Sequence, residues 1–360
     1  MAAAGHAFGN QYKPVANKLG VECRDFFVTV AVFFLSRLLT RTRLVVTEIE
    51  ADIIRNRKIV WSVNIGVPVD YLDSDLKDLF STILKAAWDY SYDENAKLNV
   101  QELSKQVYNL SQSERSQNCH VVPELAACVT PFALASGTPD GLYSVFDIGS
   151  GSIDGATFEL SRTSGSPRIN FFTSKVDMLG VDWIVQEIIR KAEQELSAEE
   201  LKKCLIRKDG FLDLPYTLLL PFAKDIYRHV SEVIINAKMR DQRDWLQFMP
   251  ELPLFISGGG RYSDWHRHEM FKTYYNNNHR HAGIPKYAEW EIPVPDNIAL
   301  NGLPRNEFYR FLVAYGLSIP LDEGPEIIGF PKQKPRAVRK KQNRKEKLDD
   351  IQWEKYGEKS

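Results

Sequence analysis

Residues Tyr143–Leu160 read YSVFDIGSGSIDGATFEL, and the reading of this stretch decides the fold. An apolar run ends in Asp147, a Gly/Ser turn follows, a second aspartate stands at 154, and an apolar run resumes. The pattern is strand–turn–strand with two carboxylates at the mouth of the turn. Gly149 and Gly151 let backbone N–H groups approach an anionic oxygen that a Cβ would hold off. Ser150 and Ser152 add hydroxyl donors, and Asp147 and Asp154 have the chemistry to hold a hydrated Mg²⁺ beside a phosphate. Taken alone, the same letters also describe an ordinary Gly/Ser hairpin.

A second apolar strand, Leu252–Ile256, runs straight into Ser257-Gly258-Gly259-Gly260. Around these two strands the chain alternates strand and helix patterns, which places it in the α/β class. In open α/β sheets ligands gather at the carboxyl ends of strands, so the two glycine turns are expected to flank one cleft.

Upstream, Val21–Leu39 reads as a helix, Val60–Val67 as a strand stopped by Pro68, and Leu76–Trp88 as a helix capped by Asp73 or Ser74. Asp93–Gln117 is polar and reads as surface loop with a short element at Val100–Tyr108; His120–Leu134 returns a strand and a helix start. Strands are expected at 143–148, 156–160 and 169–173. Helices are expected after Gly180, over Lys224–Met239 and over Phe308–Leu317. No repeat of fixed period is present.

With 360 residues, 44% hydrophobic and 26% charged, the composition is that of a globular protein with two to three lobes. Cys23, Cys119, Cys128 and Cys204 form no CxxC pair and read as reduced thiols of an intracellular protein. The longest apolar run, Phe26–Leu35, is too short to span a bilayer, so it reads as a buried helix of a cytoplasmic protein without membrane attachment. The net charge of −1 is uneven, with +6 carried by 331–360 and −7 by the remainder. That basic stretch has the charge to touch nucleic acid, but no aromatic residue interleaves its basic run, and it reads as a solvated, disordered tail. In the HRH triplets at 266–268 and 279–281 an Arg between each His pair repels a cation and no carboxylates cluster there, so they read as surface loop histidines, not a metal site.

At this point the motifs resemble a known family. The chain is similar to the nucleotide-binding domain of the seventy-kilodalton heat-shock chaperones, within the actin-like ATPase (ribonuclease H-like) superfamily. VNIGVPVDYLDSDLKDLF at 63–80 resembles the family's V-P-A-x-F-x-D strand–loop–helix. PELAACVTPFAL at 123–134 is similar to E-P-T-A-A-A-x-A-Y-G-L, and DIGSGSIDGATFEL at 147–160 to the second phosphate motif, D-L-G-G-G-T-x-D. MLGVDWI at 178–184 resembles L-G-G-x-D-F, FISGGGRYSDW at 255–265 the adenosine motif, and FLVAYGLS at 311–318 the closing A-x-G-A-A helix. The likeness covers Trp61 to Ser318.

The resemblance implies a two-lobed fold binding ATP or ADP with Mg²⁺. It implies an incomplete first lobe at 1–142, a second lobe at 143–300 with a helical subdomain at 191–251, a closing helix within 301–330 returning to the first lobe, and the basic tail at 331–360. It assigns Glu124 to orienting the attacking water and Asp147 and Asp154 to the metal. Gly149, Ser150, Gly151 and Ser152 are assigned to the phosphates, Gly180 to nucleotide binding, and Gly258, Gly259, Gly260 and Arg261 to the adenosine motif, with Tyr262 competing with Arg261 to stack on the base. The family's first phosphate hairpin, D-x-G-T-T-x-S, has no counterpart before residue 147; GHAFGN at 5–10 resembles only the segment next to that hairpin on its carboxyl side. The expectation is therefore a truncated chain or a hairpin supplied by another polypeptide, leaving the strand near 60–67 with an open edge. Forty-two residues follow Ser318, too few for the chaperones' peptide-binding β-domain. The implied function is a chaperone-like nucleotide-dependent switch with weak or absent hydrolysis and an open question of protein client or partner. A small-molecule kinase and an actin-like filament or interaction protein remain alternatives.

Overall fold

Two sheets of unequal size organise the chain. Val63–Val67 (β1) and Cys119–Pro123 (β2) pair in parallel, and no other strand joins them among the described residues. The larger sheet has six strands: Gly141–Ile148 (β3), Ile153–Thr163 (β4), Ser166–Asp177 (β5), Glu251–Ser257 (β6), Lys286–Trp290 (β7) and Glu326–Ile328 (β8), in the order β7-β6-β3-β4-β5-β8. β3, β4 and β5 form an antiparallel meander, while β6, β7 and β8 add in parallel. The architecture is thus mixed α/β. The computed structural model of the chain describes residues 12–68, 75–93, 95–163, 165–192, 197–275, 279, 282–296 and 298–328. All of them belong to one compact unit. The expected cap at 73 or 74, the GHAFGN segment and the basic stretch 331–360 lie outside those residues.

The central strands form because their apolar runs are continuous. Seven of the eight residues of β3 and six of the seven of β6 are buried, as a strand covered on both faces requires. The β4–β5 ribbon extends well past the expected 156–160 and 169–173, because the pairing continues through Ile153–Gly155 against Lys175–Asp177 and Ser161–Thr163 against Ser166–Arg168, where polar side chains interrupt the apolar run that marks the strand in the sequence. Its register shifts between Thr157 and Phe158. Tyr216–Arg240 (α7) lies against β4 and β5 and buries Ile226, Val230, Val233 and Ile234. It begins eight residues before the expected start and carries Pro221 in its second turn.

Helices surround the small sheet. Cys23–Ile49 (α1) packs on Asp75–Tyr90 (α2) and Val100–Ser111 (α3), and α2 in turn contacts β1 and β2. α1 departs from expectation twice. It runs ten residues past Leu39, because no Gly or Pro interrupts it and Arg43 anchors the extension. The Arg43 guanidinium lies 3.8 Å from the Tyr92 ring centroid and donates to Ser91 O at 2.6 Å. Nor is its apolar run buried all round: Val32 is fully enclosed, whereas Phe34 is 69% exposed. α3 is the short element expected at Val100–Tyr108, extended to Ser111. Asn99 caps it by accepting from Glu102 N–H at 3.2 Å, and Leu103 and Val107 are buried against α1 and α2.

Glu124–Leu134 (α4) follows β2 directly and reaches both sheets. Leu312–Ser318 (α9) packs on α4 and β1, and Asn64 Nδ2 donates to Leu317 O at 2.7 Å. Three further helices, Val181–Lys191 (α5), Ala198–Ile206 (α6) and Asp264–Lys272 (α8), gather beside the main sheet. The expectation for the first HRH triplet is corrected here. His266 sits fully buried in α8, its Nε2–H donating to Leu179 O at 3.0 Å while Nδ1 accepts from Ser263 Oγ at 2.6 Å. Burial pushes it down to about 4, so it is a neutral core histidine. His279 is also fully buried.

Candidate functional site at the ends of β3 and β6

The turn at 149–152 is closed by Gly149 N–H donating to Ser152 O at 2.9 Å. Register places Asp147 opposite Asp154, and parallel pairing sets Asp147 beside Ser257 of β6. The two glycine turns are therefore side by side at the same end of adjacent strands, not facing each other across a cleft. Gly258 requires this closeness. Its φ is +80°, and a Cβ there would fall 2.4 Å from Ile148 O and 2.5 Å from Asp147 Oδ1. Gly260 is similarly pressed against Ile148 Cγ2. Gly149, Gly151 and Gly259 have room around them, so nothing in the packing demands glycine there.

The N-terminus of α5 fixes the turn. Gly180 N–H donates to Gly151 O at 3.1 Å, Val181 N–H to Gly149 O at 3.2 Å, and the N–H groups of Asp182 and Trp183 to Ser150 O at 2.9 and 3.1 Å. A Cβ at Gly180 would lie 2.5 Å from Ser150 backbone, so this glycine serves the docking of α5 on the turn. In a trans peptide the C=O and N–H point opposite ways. Tying the carbonyls of 149, 150 and 151 to α5 therefore aims the N–H groups of Ser150, Gly151 and Ser152 away from it. Those three N–H groups donate to no group among the described residues.

Side chains complete the picture. Ser150 Oγ donates to Asp182 Oδ2 at 2.6 Å, and Asp182 pairs with Lys202 Nζ at 2.6 Å; the two partners hold the Asp182 carboxyl below its usual range. The Ser150 hydroxyl is thus committed within the protein, leaving its N–H as the open donor. Asp147 and Asp154 are both buried, and Asp147 Oδ1 has no hydrogen-bond partner. Burial, and then the charge of Glu124, push Asp147 up to about 6. Glu124 opens α4 immediately after β2, and burial raises it as well. Cys128, one helical turn later and fully buried, is held as a thiol by burial and by the Asp147 charge.

Arg261 occupies a place the sequence does not suggest. It is buried, its guanidinium 3.4 Å from the Tyr309 ring centroid and 3.4 Å from Glu291 Oε1. Tyr262 Oη donates to Asn306 O at 2.7 Å. Both expected base-stacking residues instead tie the loop after β6 to residues 291–309. Lys202 and Tyr309 carry no motif, and Cys128, inside the 123–134 motif, has no role assigned by it; all three are found only through the fold.

Asp147 and Asp154 form a carboxylate pair; no group of three metal-ligating side chains occurs among the described residues. The pair suits a cation that keeps most of its water, as Mg²⁺ does. A cavity of about 570 Å³, lined by residues such as Phe132, Leu134, Trp290, Val294 and Tyr315, takes in none of Glu124, Asp147 and Asp154. No helix among the described residues is long and apolar enough to cross a membrane. Compared with protein-family models the chain matches none, and a comparison with curated proteins finds no match either.

Proposed function

We propose that the chain binds a nucleotide, ATP or ADP, with Mg²⁺ at the carboxyl ends of β3 and β6, in an actin-like ATPase arrangement. It acts there as a chaperone-like conformational switch whose hydrolysis is slow or absent. The observation that carries this reading is the row of three open N–H donors at 150–152 beside the unpartnered Asp147 Oδ1. Consecutive backbone N–H groups aimed at one point make an anion-binding concavity, and phosphate oxygens are the acceptors it suits. Asp147 and Asp154 would hold the cation through its waters, and Mg²⁺ bound there would supply neutralisation of phosphate charge. Gly259, open on its Cβ side, leaves room for the nucleoside. Glu124, raised by burial, stands where it can accept a hydrogen bond from a water.

The donors named above all belong to the turn after β3, and the sequence before residue 147 holds no second phosphate motif of that kind. Loss of one preorganised donor costs on the order of 10²–10³ in rate in comparable sites, so turnover is expected to be slow or undetectable. Affinity is expected in the millimolar range, about −4 kcal/mol. Isothermal calorimetry with Mg²⁺-ATP and Mg²⁺-ADP tests this: heat should be absent with adenosine and lost in Asp147→Ala. A folded wild-type chain giving no heat with either nucleotide at millimolar concentration would remove the proposal.

A further inference from the structure

The outward face of α1 has an order of its own. Positions 24, 27, 31, 34, 38, 41, 45 and 48 are separated by alternating steps of three and four, the spacing of a coiled-coil seam. None of the eight is buried, while Thr29, Val32, Ser36 and Thr40 on the opposite face are buried. Phe34 and Leu38 at the seam's centre are 69% and 53% exposed, which is unusual for large apolar side chains on a helix already packed on two others.

We propose that α1 pairs antiparallel with α1 of a second copy of this chain, about a two-fold axis level with Ser36. A helix paired with itself in this way sets residue i against residue 72 − i. Phe34 then meets Leu38 of the partner copy twice, and Phe27, edged by Tyr12, meets Val45. Ala31 lies under the long stem of Arg41, small against large. At each end Arg24 meets Glu48, and neither has an ion-pair partner among the described residues. Every apolar position has a partner and every end charge its opposite.

The alternatives are worse on the same residues. A parallel pair sets Arg24 on Arg24, Arg41 on Arg41 and Glu48 on Glu48, and like charges across a seam are disfavoured. Sliding the antiparallel pair by one heptad brings Arg24 against Arg41 in one direction. In the other it leaves Phe27 uncovered and sets Leu38 on Arg41. A surface that is complementary to itself under a two-fold rotation is what an isologous dimer requires, and it identifies a second copy as the occupant.

Sedimentation equilibrium of the intact chain tests this. The wild type should weigh as two chains at micromolar concentration, and Phe34→Glu with Leu38→Glu should weigh as one. These side chains are exposed, so the urea midpoint of that double variant should stay close to wild type when extrapolated to the monomer. Arg24→Glu alone and Glu48→Arg alone should each weaken dimerisation by roughly 3- to 10-fold. Arg24→Glu combined with Glu48→Arg should restore it, because the pair is remade with its signs exchanged. Spin labels at Asp25→Cys in a Cys23→Ser background should lie about 33 Å apart along the seam, from 1.5 Å of rise per residue. A monomeric wild type, a dimer that survives Phe34→Glu/Leu38→Glu, failure of the charge exchange to restore binding, or a label distance of about 10–15 Å typical of parallel helices would each overturn the proposal. So would a wild type that floats with phosphatidylcholine vesicles in place of dimerising.

Discussion

Replacing Asp147 with asparagine should change the pH dependence of stability in a direction fixed by its surroundings. The carboxyl rises from 3.8 to about 6 in the folded chain, because burial and the Glu124 charge disfavour its ionised form. Below pH 3.8 both folded and unfolded chains hold the proton, and the group contributes no pH dependence. Between 3.8 and about 6 the unfolded chain releases it while the folded chain keeps it. The folded state then binds more protons, so stability falls as pH rises through that window. Above pH 6 the folded chain carries a buried carboxylate, at a cost of roughly 3 kcal/mol. The amide introduced by Asp147→Asn cannot ionise, although a buried amide left unpaired costs about 1–2 kcal/mol at every pH. The difference in unfolding free energy between Asp147→Asn and wild type should therefore swing by about 2–3 kcal/mol in favour of the variant from pH 4 to pH 8. Urea titrations at a series of pH values measure it. Glu124→Gln should shrink the swing by removing the second cause. Addition of Mg²⁺ and nucleotide to tenfold over the dissociation constant should raise wild-type stability by about 1.4 kcal/mol and leave Asp147→Asn unmoved. A variant-to-wild-type difference equal at pH 4 and pH 8 would refute the electrostatic account of this carboxyl.

The glycines separate by role. Gly258→Ala should lower stability by about 2 kcal/mol or more, since its φ and its clash with Ile148 O both oppose a Cβ, whereas Gly259→Ala should leave the urea midpoint unchanged and weaken nucleotide binding in calorimetry. Arg261→Ala should cost about 1–2 kcal/mol of unfolding free energy through the lost stack on Tyr309, and Tyr309→Leu should cost a similar amount. The double variant should lose less than the sum, which a double-mutant cycle reads directly. Gly316→Ala should be the most damaging small change, about 3 kcal/mol or more by thermal unfolding, because its Cβ would occupy the place of Ala127 O.

Where the sequence speaks locally, it speaks clearly. β3, β4 and β6 are legible because each carries an apolar run bounded by a turn rich in Gly and Ser. Asp147 and Asp154 can be paired on paper, since a hairpin of four turn residues sets them opposite. What is illegible depends on distant partners. Arg261 reads as an exposed stacker until Tyr309 and Glu291, thirty or more residues on, come to it. His266 reads as surface because its neighbours are charged, yet Ser263 and Leu179 O satisfy both ring nitrogens inside the core. β7 and β8 lack alternation of their own, and they exist because β6 and β5 offer free edges. The commitment of the Ser150 hydroxyl to Asp182 follows from how α5 docks, which no spacing in the turn announces.

The seating of α9 on Ala127 has a consequence for how the polypeptide is made. The early layer around β1 and α4 is finished by a helix encoded some 180 residues later than α4. At roughly 5–20 residues per second a ribosome needs about 10–35 s to bridge that interval. During it, the groove that Gly316 will fill stands vacant on a nascent chain. Nascent chains stalled with residue 300 outside the exit tunnel should be cleaved readily within 60–135 by a protease, while those stalled past 325 should resist. The late helix thus acts as a keystone whose arrival time, and not only its fit, governs how long half the molecule is at risk.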